Sequence, residues 1–196
     1  MQKTIGLVLL FLFFLIDLPA FAHPYFPLAV GNYRIRSNPT GAAFGGSPIN
    51  EYKILGQTNY QGNTAYKEFY KNGSQYMKKY LYYEKGGSIF QIDYDHEGNL
   101  DSDSAIQVLP KTLKTGTSWT QHSGDNKTKY VIEDDNYSCT TEAGSFEKCL
   151  MVRAYSNNDL VNEIVYAPGV GEVSYISHLF GTYTEFKLVD YKAQGK

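Results

Sequence analysis

Along most of the chain, apolar and polar residues alternate with a period near two. The alternating runs are cut by short clusters of Gly, Asn, Pro and Ser. That pattern predicts antiparallel strands joined by tight turns. Residues 26–36 read as an entry segment and a first strand. Residues 51–58, 64–70, 75–83 and 88–94 then form a four-strand meander. Its separators have turn chemistry, with Asn72-Gly73 and Gly86-Gly87 the strongest hairpin signals. Further strands are expected at 105–109, 127–133 and 182–191. No window carries a convincing 3.6-residue apolar period, so little helix is expected. Residues 37–50 (SNPTGAAFGGSPIN) read as a long loop that covers an opening or carries a contact surface. The fold class this implies is all-β: an antiparallel meander forming a curved sheet, partial barrel or sandwich.

Two hairpins are expected between Tyr137 and Val173. Cys139 and Cys149 are placed symmetrically about Gly144, inside the turn-like Glu142-Ala143-Gly144-Ser145. A turn there sets the cysteines opposite each other on antiparallel strands, close enough for a disulfide. Closing so short a loop would stabilise the fold by about 2–3 kcal/mol. No C-x-x-C is present, and no histidine lies nearby to complete a zinc site. The second hairpin turns at Pro168-Gly169, where Pro168 presets φ and Gly169 supplies a positive φ. It lacks the lysine and the following helix of a phosphate-binding loop.

These residues carry a resemblance. A-G-S-F-x-x-C at 143–149, followed by Y-A-P-G-V-G at 166–171, resembles a pattern in exported bacterial β-proteins of uncharacterised function. Phe26-Pro27-Leu28 with Gly31 is similar to their N-terminal segment, with Tyr33 where such proteins often carry Trp. The resemblance covers the C-terminal third and about ten residues at the front. It implies architecture and export, and it transfers no catalytic residue. Leu109-Pro110 through Gly116 and Trp119 also echoes Phe26-Pro27 through Gly31 and Tyr33, as a repeat of two β-halves would.

The first 22 residues read as a signal peptide of compact bacterial form. A lysine precedes the apolar run from Ile5 to Ile16, and Ala20-Phe21-Ala22 fits the small-x-small cleavage rule, with His23 as the new N-terminus. The run is short for a membrane span, and no later stretch is long enough for one. Residues 23–196 then make one β-rich domain, exported to the periplasm or beyond. The net charge of −2 gives no basic footprint for nucleic acid. The 18 tyrosines favour strands with half-buried faces.

Three sets of side chains are candidates for chemistry. Tyr76, Tyr80 and Tyr82 would share one strand face with Lys78. That face is either solvated or an aromatic platform for a glycan or peptide. Asp93, Asp95 and Glu97 with Gly98 fit the front of a calcium loop, but Ser104 stands where its bidentate Glu belongs. The same letters make an ordinary hairpin turn. An N-terminal His23 could chelate copper if His96, His122 or His178 completed the site, and otherwise is a frayed terminus.

No catalytic signature is present, so the expected role is non-enzymatic, with no cofactor. The leading expectation is an exported domain that binds a lipid, glycan or peptide on a concave sheet face. The alternative is a structural or protein-interaction envelope protein using a tyrosine-rich surface. A metal-binding protein or a hydrolase comes after these.

Overall fold

The structure, a computed structural model, describes residues 23–39, 43, 47–72, 75–95, 97–101, 105–123, 126–179 and 182–193. The signal-peptide reading, with Ala20 and Ala22, lies outside the described residues, as does His96. Among the described residues, twelve strands follow one another along the chain. They are β1 (Tyr33–Ser37), β2 (Ile49–Tyr60), β3 (Asn63–Asn72), β4 (Gln75–Lys85), β5 (Ser88–Asp93), β6 (Ile106–Leu109), β7 (Ser118–Ser123), β8 (Asn126–Thr141), β9 (Gly144–Ser156), β10 (Asp159–Ala167), β11 (Gly171–Leu179) and β12 (Thr182–Lys192). In the loop before β2, Pro39 and Ala43 are helical. The strand at β7 was not expected: Ser-Trp-Thr-Gln-His-Ser has one large apolar residue and no alternation to reveal it.

The strands form a single antiparallel sheet, in the order β6-β5-β4-β3-β2-β1-β12-β11-β10-β9-β8-β7. It is two six-strand meanders, joined where β1 pairs with β12. The sheet curls into a nearly closed barrel. Its main core therefore combines both halves: Ile54, Tyr82, Ile89 and Leu109 meet Trp119, Ile132, Leu150, Val152 and Tyr166. The edge strands β6 and β7 face each other across a seam. There the Gln107 carbonyl accepts hydrogen bonds from Trp119 Nε1 at 2.8 Å and Gln121 Nε2 at 2.7 Å.

The two halves repeat one another. Gly31 N–H donates to Ile54 O at 2.8 Å, and Ile54 N–H donates to Asn32 O at 2.9 Å. Gly116, Ile132 and Thr117 make the same pair of bonds at 2.8 and 2.9 Å. Both glycines have positive φ, 94° and 86°, which the entry turn requires. The ladders then match in step. Ile54 faces Glu68, which faces Tyr80, as Ile132 faces Val152, which faces Ile164. The echo in the sequence marks this structural repeat.

One end of the barrel is filled by residues 23–32. Phe26 and Leu28 are buried in the core. Pro24 O accepts from Gly169 N–H at 2.6 Å, and Tyr25 Oη donates to Lys148 O at 2.7 Å. The Pro168-Gly169 turn is therefore a docking point for the chain's start. His23 is part of this plug: it is only 6% exposed, so it does not fray.

Burial pulls the His23 imidazole pKa below its ordinary value, partly offset by the Pro110 carbonyl beside it. The unfolded chain takes up that proton near pH ~6.5, while the folded chain resists it. Stability should therefore fall as pH drops below about 6.5, in a range above the carboxylate titrations. Urea midpoints at pH 7.5 and 5.5 should show the fall, and His23→Gln should flatten it. An equal fall in the variant would place the proton elsewhere.

The cysteine hairpin departs from expectation. Its turn is at Glu142-Ala143, because Thr141 pairs with Gly144. Cys139 then faces Phe146, and Cys149 faces Tyr137 across a register shift. Bulges in β8 and β9 undo the symmetry about Gly144, and both cysteines are free thiols. They lie instead in a second apolar cluster with Val165, Ala167, Val173 and Leu188, where the hairpin packs on β10 to β12. Burial pushes the Cys149 thiol up to about 11.

Candidate functional site

The end of the barrel opposite the plug is where β1, β3, β5 and β11 end and β2, β4 and β12 begin. Below it lies a cavity of about 400 Å³. Alternation on β1 sends Arg34 and Arg36 inward together, one period apart. Each meets a carboxylate from a different half of the barrel. Arg34 Nη2 donates to both oxygens of Glu68 on β3, at 2.9 and 3.0 Å. Arg36 Nη1 donates to Glu172 on β11. Both guanidinium groups also sit over the ring of Tyr52, 5.2 and 4.6 Å from its centroid.

Burial opposes the charge on Arg34. The combined attraction of Glu68, Tyr82, Glu172 and Tyr52 outweighs it and holds the guanidinium well above its ordinary pKa. Arg36 is raised in the same way, chiefly by Glu172. Both guanidinium groups thus stay charged inside the barrel.

Tyrosines complete the wall. Tyr80 and Tyr82 line the cavity with ring centroids 5.8 Å apart. Tyr82 Oη donates to Glu68 Oε2 at 3.4 Å. Tyr175 and Phe186 pack at 5.9 Å on the far side, and Tyr175 Oη donates to Asn162 Oδ1 at 2.8 Å. Burial raises the phenol pKa of Tyr80, Tyr82 and Tyr175, so all three remain protonated donors. Asn50 and Gln91 add amide groups. The Nε atoms of Arg34 and Arg36 are buried and without a hydrogen-bond partner among the described residues.

Of the three tyrosines singled out in the sequence, the structure brings two to this cavity. A bulge adds Lys79 to β4, so that Glu68 faces Tyr80 while Phe69 faces Lys78. Beyond it the faces exchange. Tyr76 lies opposite Lys71 on the outer surface and donates to Glu51. Arg34, Arg36, Glu68, Glu172 and Tyr52 were not anticipated. The available signal was two arginines two apart in a strand, which strand alternation sends to the same face.

The acidic candidates form a turn. Tyr94 bridges Leu100, and Asp95 Oδ1 accepts the Asn99 N–H at 2.8 Å. Asn99 Nδ2 reaches Asp95 Oδ2 at 3.3 Å and Glu97 Oε2 at 3.4 Å, so the carboxylates hold the turn's own donors. Asp93 Oδ1 accepts from Gln91 Nε2 at 3.0 Å. His23 lies in the plug, His178 Nε2 is 3.0 Å from Glu163 Oε1 on another surface, and His122 is exposed on β7. Among the described residues no group of three His, Cys, Asp or Glu side chains is placed to hold a metal ion.

No protein-family model matches the chain, and no curated protein matches it in sequence. Two solved structures are similar to it. One is described as a "putative lipoprotein" from Parabacteroides distasonis. It is 14% identical, with 87% of this chain and 99% of that one covered and a TM-score of 0.48. The other is a "putative exported protein with YmcC-like fold" from Bacteroides fragilis. It is 12% identical over 87% of this chain and 100% of that one, with a TM-score of 0.51. The fold is similar to that of the Bacteroides fragilis protein. At such identity the likeness concerns architecture, and function has to be argued from the cavity.

Proposed function

We propose that this is an exported, non-enzymatic binding protein, which holds a hydroxyl-rich ligand of the saccharide class in the barrel cavity. Export is supported by the N-terminal leader and by the description of the Bacteroides fragilis protein. The observation that carries the ligand class is the make-up of the wall. Flat tyrosine faces alternate with charged and amide groups held in place by their own hydrogen bonds. Aromatic faces cover the C–H face of a sugar ring, and fixed donors and acceptors answer its hydroxyls. An acyl chain in the same space would lie against two ion pairs and satisfy none of their remaining donors.

A glycan array followed by calorimetry tests this. Soluble oligosaccharides should be retained; Arg36→Ala should weaken binding at least about tenfold, the scale of one lost charge-assisted hydrogen bond, and Tyr80→Ala should weaken it through the lost ring face. Fatty acid or phospholipid recovered from the protein purified from its own host would overturn the saccharide reading. So would silence across the array.

A further inference from the structure

The two halves of the barrel differ in charge where they match in position. Gly31 corresponds to Gly116 and Ile54 to Ile132. Arg34 then corresponds to Trp119, which faces Tyr130 on β8 as Arg34 faces Tyr52 on β2. The Arg34 guanidinium lies 5.2 Å from the centre of the Tyr52 ring, and the Trp119 ring stacks 5.3 Å from that of Tyr130. Arg36 corresponds to Gln121 in the same ladders. Glu68, the partner of Ile54, corresponds to Val152, the partner of Ile132. Glu172 faces Tyr166 on β10, and Gln91 faces the matching Tyr82 on β4.

Each charged group of the site therefore has an uncharged counterpart in the other repeat. The fold does not call for charge at these positions, and burying charge is costly. A neutral saccharide does not call for it either, because the amides of Asn50 and Gln91 and the phenol of Tyr80 already answer hydroxyls. What the charges add is an excess of cation at the cavity surface. Glu68 lines a smaller hollow beside the plug, with Phe26 and Pro27, and meets Arg34 from there. The cavity itself is lined by two guanidinium groups and one carboxylate, that of Glu172. Both arginine Nε atoms lack a partner among the described residues, so neither guanidinium has used all its donors. One cation in excess, set in a low-dielectric wall, fits one negative charge on the ligand. A planar guanidinium matches the geometry of a carboxylate. We infer that the saccharide held in the cavity is an acidic one, whose carboxylate, as in a uronic or sialic acid, is received by Arg34 and Arg36. This rests on the saccharide reading above and names its chemical class.

Calorimetric titration of the full mature chain tests it. The probes are oligosaccharides of glucuronic, galacturonic and sialic acid, each beside its own carboxyl-reduced, neutral form. At least one acid should bind about tenfold or more tightly than its reduced form, the scale of a charge-assisted hydrogen bond. Arg36→Gln, which copies its counterpart Gln121, should bring that acid down toward the affinity of the reduced form. Glu172→Gln, which copies Gln91, removes the anion that competes for Arg36 and should tighten the acid about threefold or more. Melting curves of both variants check that they fold, and the wild-type comparison of acid with reduced form depends on neither.

A reduced form bound as tightly as its acid would overturn the inference and leave the saccharide reading standing. So would a sulfated oligosaccharide preferred over every carboxylate, or a folded Arg36→Gln variant that keeps the wild-type preference for the acid. Acetate bound as tightly as the acidic oligosaccharides would remove the saccharide from both readings, and binding of none of the probes would remove both outright.

Discussion

Arg34→Ala should lower the free energy of unfolding by about 3–5 kcal/mol, the cost of stranding a buried charge. The side chains of Arg34 and Glu68 are 13% and 6% exposed, so water cannot replace the lost guanidinium. Glu68 would keep one partner, the Tyr82 hydroxyl at 3.4 Å, which is too little for a buried carboxylate. The same change also strips a cation from the face of Tyr52. Urea unfolding at pH 7, followed by circular dichroism, measures the effect. A loss below about 1 kcal/mol would show that the pair is solvated like a surface bridge.

The double variant Arg34→Met/Glu68→Leu separates stability from binding. Removing both charges together avoids the stranded ion and should restore most of the stability. Saccharide binding should be lost, because the cavity wall loses both charges. A pair kept only for the fold could be exchanged for apolar groups without that loss.

Most strands were legible because their signal is local. Period-two alternation and turn residues such as Asn72-Gly73, Gly86-Gly87 and Pro168-Gly169 are read within ten residues. The calcium-like stretch at 93–98 was likewise readable as a hairpin turn, since Asp95 and Asn99 bond one another locally. What stayed hidden depends on register. One extra residue in β4 separates Tyr76 from Tyr80 and Tyr82, although alternation alone puts all three on one face. Bulges between Ile132 and Cys139 carry the cysteines out of opposition. None of these bulges has a sequence signal, because the residues that form them, such as Lys79, are ordinary strand residues.

The cavity was hidden for a further reason. Glu172 meets Arg36 only because β1 closes onto β12 and so brings β11 alongside, a partnership spanning most of the chain. Glu68 and Glu172 look in the sequence like any other strand carboxylates. The faint echo of Phe26-Pro27 in Leu109-Pro110 was the one sign of the long-range plan. It became evidence once the same pair of backbone bonds was seen at Gly31 and at Gly116.

That plan makes Phe26 the residue on which the closed end depends. Phe26→Ala should cost about 3–5 kcal/mol, the range for removing a buried phenyl ring. The ring lies 4.8 Å from that of Tyr82 and 6.4 Å from that of Tyr166. Those tyrosines are equivalent positions of the two halves, each two residues beyond the matched pair Tyr80 and Ile164. The start of the chain is thus gripped by the same strand from each repeat. Its burial adds to the joins that the two meanders make through the β1–β12 ladder, the shared core, the Arg36–Glu172 pair and the seam.

Phe26→Leu fills much of the same volume and should cost much less than the alanine change. Calorimetric melting of both variants checks the order. If the segment behaved as an ordinary chain end, Phe26→Ala would leave the transition unchanged. If it is the plug, the alanine variant should melt earlier, and amide exchange should quicken in both halves of the barrel, around Tyr82 and around Tyr166 alike. Faster exchange in the first half alone would mean that Phe26 belongs to its own meander and that the seam and the β1–β12 ladder hold the barrel together without it.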